Sequence, residues 1–195
     1  MANKRQAMMV ETRIRLIEAG RKAFAAHGYA AASMDELTAT VGLTRGALYH
    51  NFGDKKGLLA AVVHQIDSAM AQKAQEIGAL KSDPWDALLA EGAAYIEMAL
   101  DAEVQRIVLL DGPAVLGDPS QWPSQDSCLQ STKRTIERLI AVGRMRPVDP
   151  EAAARLMNGA ALNAALRDAA SDDPAKTLPL VIEAFNAMAS GLLIS

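Results

Sequence analysis

The segment SMDELTATVGLTRGALYHNFGDK, residues 33–55, concentrates hydrogen-bonding side chains at positions that a short helix would expose. Arg45 carries paired donors that match the O6 and N7 acceptors of guanine, although a phosphate contact suits it nearly as well. Thr44 can donate to a phosphate or only cap a helix, and Tyr49 can offer its hydroxyl to a phosphate or lie in a core. His50 suits a base, a phosphate or a solvated surface. Recognition of nucleic acid is the chemistry that these residue types support together.

Three more positions complete the candidate set. Gly46 has no side chain and so permits close approach of the backbone to a partner. Its alternative is a helix flaw that costs about 1 kcal/mol relative to alanine. Lys55 is expected in the first turn of a helix, where free backbone N–H groups already favour an anion. Ser33 stands three residues before Glu36, a spacing typical of the capping box that starts a helix.

The same segment contains the signals that position those side chains. Gly42 permits the left-handed turn that often ends a helix, and Thr44 can cap the next short helix, whose Leu48 is expected to pack inward. Gly53 ends that helix, and Asp54 can cap a third. Two short helices joined by so tight a turn are typical of a motif that places one helix in a DNA groove. An ordinary helical hairpin is the alternative.

Two stretches, AFAAHGYAAASMDELTATVG and GLTRGALYHNFGDKKGLL, resemble the DNA-binding domain of the TetR family of bacterial transcriptional regulators. The resemblance covers about residues 10–60, and it implies that the chain binds double-stranded DNA as a homodimer with Lys55 on a phosphate. One departure is Thr38, where the family usually carries alanine. We expect the Thr38 hydroxyl to bond back to a carbonyl of its own helix.

The composition favours a purely helical chain. Half of the 195 residues are hydrophobic but only 4% are aromatic, and no β-branched run of period two occurs. The sequence suggests neither a signal peptide nor a membrane span, and the single cysteine, Cys128, suits a reducing compartment. We therefore expect a cytoplasmic protein that is associated with the nucleoid when it is bound to its operator.

The charge is divided unevenly along a chain whose net charge is −3. Residues 1–58 hold nine Lys or Arg against five Asp or Glu, whereas the remainder holds eleven against eighteen. A basic N-terminal part on an acidic remainder is what attraction of one end to phosphates requires. Chance clustering of solvated charge is the alternative explanation.

Beyond residue 58, four Asp-Pro pairs mark helix starts, because aspartate is a strong N-cap and proline suits the first helical position. These pairs are Asp83-Pro84, Asp118-Pro119, Asp149-Pro150 and Asp173-Pro174. The apolar patterns predict helices over about residues 55–80, 84–100, 120–144 and 150–170, an apolar piece interrupted at Gly112-Pro113, and a last helix ending near residue 193. Because of Pro179, the last helix is expected to start either at Pro174 or near Thr177.

These signals predict an all-α fold of about nine helices, with a three-helix helix-turn-helix domain over residues 1–56. A helical ligand-binding and dimerisation domain is expected over residues 57–195. Two apolar faces favour a dimer held by a four-helix bundle, and the alternative is that both serve only the monomer core. One face comprises Ala152, Ala153, Leu156, Gly159, Ala160 and Leu166, and the other Leu180, Val181, Phe185, Met188 and Leu192.

The resemblance also implies a small-molecule pocket in the second domain. Methionine and aromatic side chains adapt to irregular apolar ligands, although at helical spacing they also form plain core. The candidates are Met70, Trp85, Tyr95, Met98, Leu109 and Trp122. Asp111 is expected either to meet a polar ligand group or to cap the break at Gly112, and Cys128 either to be inert or to act as a redox trigger.

An enzyme is not expected, because no Gly-rich phosphate loop follows a strand. We expect no metal and no cofactor, since His27, His50 and His64 lack the spacing of metal ligands. The sequence predicts a ligand-responsive transcriptional regulator, more specifically a repressor, that binds a palindromic operator as a dimer. A small molecule entering the C-terminal domain would release it from DNA. The alternatives are a ligand-independent DNA-binding module and a helical small-molecule carrier or enzyme.

Overall fold

The computed structural model describes residues 2–194, and side chains from residue 6 onward; this part of the chain is helical and contains no strand. The helices are α1 (Ala2–Ala31), α2 (Met34–Thr40), α3 (Arg45–Phe52), α4 (Lys55–Gly78), α5 (Pro84–Met98), α6 (Ala102–Val104), α7 (Gly112–Leu116), α8 (Pro123–Ala141), α9 (Pro150–Ala169) and α10 (Pro174–Ser190). A π-helical turn, Gln105–Asp111, joins α6 to α7, and a 3₁₀ turn, Pro119–Gln121, precedes α8. If α6, the π-helical turn and α7 are counted as a single helix, residues 2–194 contain nine helices, which confirms the predicted fold class.

The chain forms two compact units. The first unit extends to Ile66 and also includes Arg106–Pro119, whereas the second comprises Asp67–Gln105 and the chain from Ser120 onward. Helix α4 therefore contributes to both units. The domain boundary at residue 56 stays a prediction.

In the first unit α1 packs on α2 and α3, and α2 packs on α3. The core consists of apolar side chains from each of these helices and from the start of α4; they include Leu16, Phe24, Leu37, Leu48, Leu58 and Val62. Burying each such side chain contributes about 1.5–3 kcal/mol to stability. The short α2 and α3 are stabilised mainly by this packing, because isolated helices of seven or eight residues are marginal in water.

Helices α2 and α3 both begin with the predicted caps. The Ser33 hydroxyl accepts the N–H of Glu36 at 3.4 Å, and the Thr44 hydroxyl accepts the N–H of Ala47 at 3.2 Å. Gly42 has a φ of 62°, in the left-handed region that glycine adopts without steric cost. The motif is thus fixed by backbone and cap geometry that its sequence specifies locally.

Thr38 bonds within its own helix, as predicted. It is buried, and its hydroxyl donates to the carbonyl of Met34 at 2.9 Å, with the carbonyl of Asp35 at 3.1 Å. A hydroxyl in this core therefore has its partners inside α2, and the departure from alanine leaves no buried polar group unsatisfied.

The segment around Gly112-Pro113 differs from the predicted interruption. The chain remains helical there, because the π-helical turn absorbs one extra residue per turn before Pro113 starts α7. The Asp111 side chain makes no capping hydrogen bond to α7. Its carboxylate instead accepts the backbone N–H of Tyr29 at 2.7 Å and lies 3.5 Å from Nε of Arg106.

In the second unit α9 packs on α5, α8 and α10, and α5 also packs on α8 and α10. Three of the four Asp-Pro pairs cap helices as predicted, because Asp83, Asp149 and Asp173 accept backbone N–H groups at the starts of α5, α9 and α10. The fourth pair starts only the 3₁₀ turn, and α8 begins at Pro123 instead of near residue 120. Helix α10 starts at Pro174 and contains Pro179 in its first turns.

The caps lead to a stability prediction for Asp149→Ala. Asp149 accepts the N–H of Ala152 at 2.7 Å, so its loss should lower the free energy of unfolding by about 1 kcal/mol. The matched control is Glu137→Ala, which removes an exposed acid from within α8 and should change stability by less than about 0.5 kcal/mol. Urea unfolding followed by circular dichroism measures both. Equal losses in the two variants would contradict the capping role.

Candidate nucleic-acid interface

Helix α3 has one buried anchor and an exposed outer surface. Leu48 is 1% exposed and packs into the core of the first unit. The exposed residues of α3, together with the residue that caps the helix, form what we call the α3 surface; they are Thr44, Arg45, Gly46, Tyr49 and His50. All five are exposed, so the structure brings together five of the seven predicted DNA contacts on one surface.

Arg45 lies on this surface beside an acid. Its Nε is 3.0 Å from a carboxylate oxygen of Asp35, and the two side chains are 57% and 66% exposed. An ion pair this exposed contributes little to stability, because water competes for both charges. The guanidinium therefore keeps most of its donors available to an external acceptor.

Tyr49 is 50% exposed, which disfavours the alternative of a core tyrosine. Its neighbour His50 is exposed in the last turn of α3. Two of the predicted DNA contacts, Ser33 and Thr44, also act as helix caps, because each hydroxyl accepts a backbone N–H. A capping hydroxyl still has its own hydrogen to donate to a phosphate.

Lys55 is held at the start of α4 by two contacts within the first unit. Its ammonium donates to the carbonyl of Ala30 at 3.2 Å and lies 4.8 Å from the centroid of the Tyr29 ring. An ammonium has three N–H donors, so two of them remain for an anion. The contacts fix the position of the charge before any ligand arrives, which lowers the entropic cost of binding a phosphate.

Two arginines of α1 support this motif and were missed by the sequence reasoning. Arg13 donates to the carbonyl of Asn51 at 2.9 Å, and its guanidinium lies 4.5 Å from the centroid of the Phe52 ring. Arg15 donates to the carbonyl of Val41. Both contacts are to carbonyls at the C-terminal ends of short helices, where cations are favoured. Their place in the basic N-terminal part of the chain was the only signal.

The second unit contains a small cavity of about 50 Å³ that is partly open to solvent. Cavities between packed helices are a common place for small-molecule sites. Of the predicted pocket residues, Tyr95 lines this cavity. Met70, Trp85 and Trp122 are buried elsewhere and Met98 is half-buried, whereas Leu109 belongs to the first unit.

Polar groups line one side of the cavity and bond to one another. The amide of Gln125 donates to both carboxylate oxygens of Asp67 at 3.1 and 2.9 Å. The Thr132 hydroxyl donates to the Asn158 side-chain carbonyl at 3.1 Å, and the Asn158 amide contacts the Cys128 sulfur at 3.6 Å. Burial and the nearby carboxylates raise the pKa of Cys128 to about 11, so it is a thiol at neutral pH. That protonated state disfavours the redox-trigger alternative.

No group of three or more His, Cys, Asp or Glu side chains in residues 2–194 is arranged to hold a metal ion. No helix in the same range combines the length and apolar character that a membrane span requires.

Two family models match the chain. "Bacterial regulatory proteins, tetR family" matches residues 16–62, and "Tetracyclin repressor-like, C-terminal domain" matches residues 85–192, which is more than half of the chain. The chain belongs to the TetR family of bacterial transcriptional regulators. TetR-family regulators are DNA-binding proteins and not enzymes.

Known proteins of the family resemble the chain along most of its length. A TetR-family transcriptional regulator from Pectobacterium atrosepticum has a solved structure that is 46% identical, with a TM-score of 0.86, and the match covers 97% of both chains. The transcriptional repressor AcnR of Corynebacterium glutamicum is 29% identical over 69% of each protein. The structure of RolR in complex with resorcinol is 19% identical with a TM-score of 0.72, covering 96% of this chain and 90% of that one, and it supports the fold alone.

Alanine substitutions at two glycines of this TetR-family motif should change the stability of the protein in opposite directions. A Cβ added at Gly46 would approach nothing closer than the Thr44 hydroxyl at 3.6 Å, whereas Gly42 has a φ of 62°. Gly46→Ala should therefore stabilise the protein by up to about 1 kcal/mol, and Gly42→Ala should destabilise it by about 1 kcal/mol. Gly46→Ala should also weaken binding to duplex DNA at least about tenfold if the backbone approaches DNA there.

Thermal unfolding and fluorescence anisotropy with labelled duplex DNA measure the two effects separately. Loss of stability in Gly46→Ala would show that the glycine serves the fold. Unchanged DNA affinity in the same variant would remove Gly46 from the interface.

Proposed function

We propose that this TetR-family protein is a repressor that binds a palindromic operator as a dimer and leaves it when a small molecule occupies the cavity of the second unit. The observation that carries the proposal is the α3 surface, where Arg45, Tyr49 and His50 are exposed while Leu48 holds the helix to the core. It acts in the cytoplasm, where bacterial DNA is found. The repressor function is supported by AcnR, whose name describes a transcriptional repressor.

The roles within the interface follow from residue chemistry. Arg45 reads a base edge, because its donors match guanine. Tyr49, Thr44 and Lys55 bind phosphates, which position the protein without reading sequence. His50 lies at the end of α3 and contacts a base or a phosphate at the edge of the site. The excess of basic residues in the N-terminal part supplies the attraction that makes such binding salt-dependent.

The cavity favours a ligand-responsive regulator over a ligand-independent DNA-binding module. A module that needs no effector gains nothing from a cavity in its second unit, since voids reduce stability. The third alternative, a helical carrier or enzyme, gives no role to the exposed donors of the α3 surface.

The dimer is supported by apolar side chains that the second unit leaves exposed. Some residues of the two predicted apolar faces are buried in the monomer core and others are exposed. Ala153, Val181 and Phe185 are among the buried ones. Leu156 on α9 is 75% exposed, and Leu180 and Met188 on α10 are 58% and 55% exposed. Large exposed side chains on two neighbouring helices are typical of an interface between subunits.

The first experiment tests Arg45 with duplexes selected from a random library by the wild-type protein. Arg45→Ala should lose about 1–3 kcal/mol of binding free energy for the selected sequence and should discriminate less between bases at one position of each half-site. The control is Arg134→Ala, an exposed arginine of α8 that should leave binding unchanged. Anisotropy titrations at two salt concentrations provide the affinities.

Asp35 makes this test sharper, because it competes with DNA for Arg45. Asp35→Asn should raise DNA affinity in the presence of Arg45 and have less effect in the Arg45→Ala background. Independent effects of the two substitutions, or wild-type affinity and sequence preference in Arg45→Ala, would count against base reading by this arginine.

The second experiment tests the dimer through Leu156→Asp. A charge introduced at a buried subunit interface should shift the protein to monomers at micromolar concentration and should abolish cooperative binding to a palindromic duplex. The matched control is Leu80→Asp, which changes a side chain that is 83% exposed and lies outside α9 and α10. Sedimentation velocity measures both variants. A dimer that persists in Leu156→Asp would place the interface elsewhere.

A further inference from the structure

The cavity of the second unit contains one carboxylate without a protein partner. Glu91 of α5 is half-buried and lines the cavity, and within residues 2–194 it makes no hydrogen bond or ion pair. Its side chain is close to the end of α4, since a Cβ added at Gly78 would lie 2.6 Å from its Oε1. Burial raises the pKa of Glu91, so the charged form is disfavoured while the cavity is empty.

The charges around this carboxylate have one sign. None of the residues that line the cavity, all in the described part of the chain, is Lys, Arg or His. Asp67 on α4 adds a second carboxylate close by, and both acids raise the pKa of the Cys128 thiol on α8. Tyr95 on α5 has its pKa raised by burial and by Asp67, so it remains neutral. The potential inside the cavity is therefore negative.

The remaining lining is apolar and partly aromatic. Leu88, Met157 and Ala161 supply aliphatic surface, and the rings of Tyr95 and Phe185 line the same space. Phe185 packs against the backbone of Gly92, where an added Cβ would lie 2.5 Å from the ring. Aromatic faces attract cations, and recognition of quaternary ammonium groups commonly uses such rings.

We propose that this cavity binds a small organic cation, an amine or quaternary ammonium ion with an apolar body, whose charge lies against the Glu91 carboxylate. The inference rests on the proposed function and deepens it, because it names the chemical class of the effector. A cation supplies the partner that Glu91 lacks, and the apolar body fills the space between the aliphatic and aromatic side chains. An anion would meet the Glu91 carboxylate and no basic group among the residues that line the cavity.

The test uses the full-length protein and a panel of permanent cations: tetramethylammonium, tetraethylammonium and benzyltrimethylammonium. Neopentylbenzene, the uncharged isostere of benzyltrimethylammonium, and phenylacetate serve as neutral and anionic comparisons. At least one cation should raise the Tm of the wild-type protein by roughly 5 °C when its concentration is far above its Kd. The neutral and anionic compounds should produce smaller shifts.

Glu91→Gln separates binding from stability, because the two effects have opposite signs. The variant should bind the stabilising cation at least about tenfold more weakly in calorimetric titrations. Without ligand it should melt at a higher temperature than the wild type at pH 7.5, since it removes a charge that burial disfavours. The difference should vanish as the pH falls below 4.5, the ordinary pKa of the carboxyl, where Glu91 is protonated in both folded and unfolded states.

The matched control is Glu97→Gln, which removes an exposed carboxylate of the same helix and should change neither cation affinity nor Tm. Cys128 is a thiol at neutral pH in the wild type, and its pKa should fall slightly in Glu91→Gln because one of the carboxylates that raise it is removed. The cation class is overturned if none of the three cations stabilises the protein, if the neutral isostere or phenylacetate stabilises it as much, or if Glu91→Gln retains wild-type cation affinity.

Measuring operator affinity with and without the cation distinguishes a failure of this inference from a failure of the proposed function. A cation that binds through Glu91 and also lowers operator affinity supports both proposals. A cation that binds through Glu91 without affecting operator affinity supports the cavity chemistry and contradicts the effector role. Loss of operator binding in Arg45→Ala is independent of either result.

Discussion

The inward packing of Leu48 is the constraint on which the DNA-binding surface depends. A helix of eight residues has little stability of its own, so α3 exists because this side chain is buried against α1 and α2. Since successive helical residues are rotated by about 100°, burying one side chain decides which others face solvent. Gly46 and His50 lie about 160° around the helix from Leu48 and face away from the core, whereas Arg45 and Tyr49 flank it. Recognition and folding therefore use different side chains of the same two turns.

A second constraint acts on the acceptors at the ends of the short helices. Carbonyls at a helix C-terminus lack partners within the helix, and the two-helix motif has two such ends close together in sequence. Arg13 and Arg15 of α1 satisfy the carbonyls of Asn51 and Val41. These arginines neutralise the negative ends of α2 and α3 and add positive charge to the first unit. The basic composition of the N-terminal part thus has a structural as well as an electrostatic role.

Local chemistry could be predicted from the sequence, and long-range packing could not. The caps at Ser33, Thr44 and Asp149 depend on residues within three positions, so their spacing alone indicates them. The cavity instead depends on which faces of α4, α5, α8, α9 and α10 meet. For that reason residue type suggested Tyr95, which lines the cavity, but gave no means of separating cavity residues from buried ones such as Trp85. Glu91 was missed because one acid among 23 carries no signal until its surroundings are known.

Chain connectivity constrains the route by which the proposed effector would act on DNA binding. Helix α4 begins in the first unit and continues past Ile66 into the second, where Ala71 and Ala74 line the cavity. The chain also passes from the second unit to the first within the π-helical turn, Gln105–Asp111. The last residue of this turn, Asp111, accepts a hydrogen bond from the backbone N–H of Tyr29. Because Lys55 lies over the Tyr29 ring, a displacement of this turn would reach the charge that we propose binds a phosphate through only two contacts. π-helical turns occur frequently at functional sites, which makes this one a suitable place for such a displacement to begin.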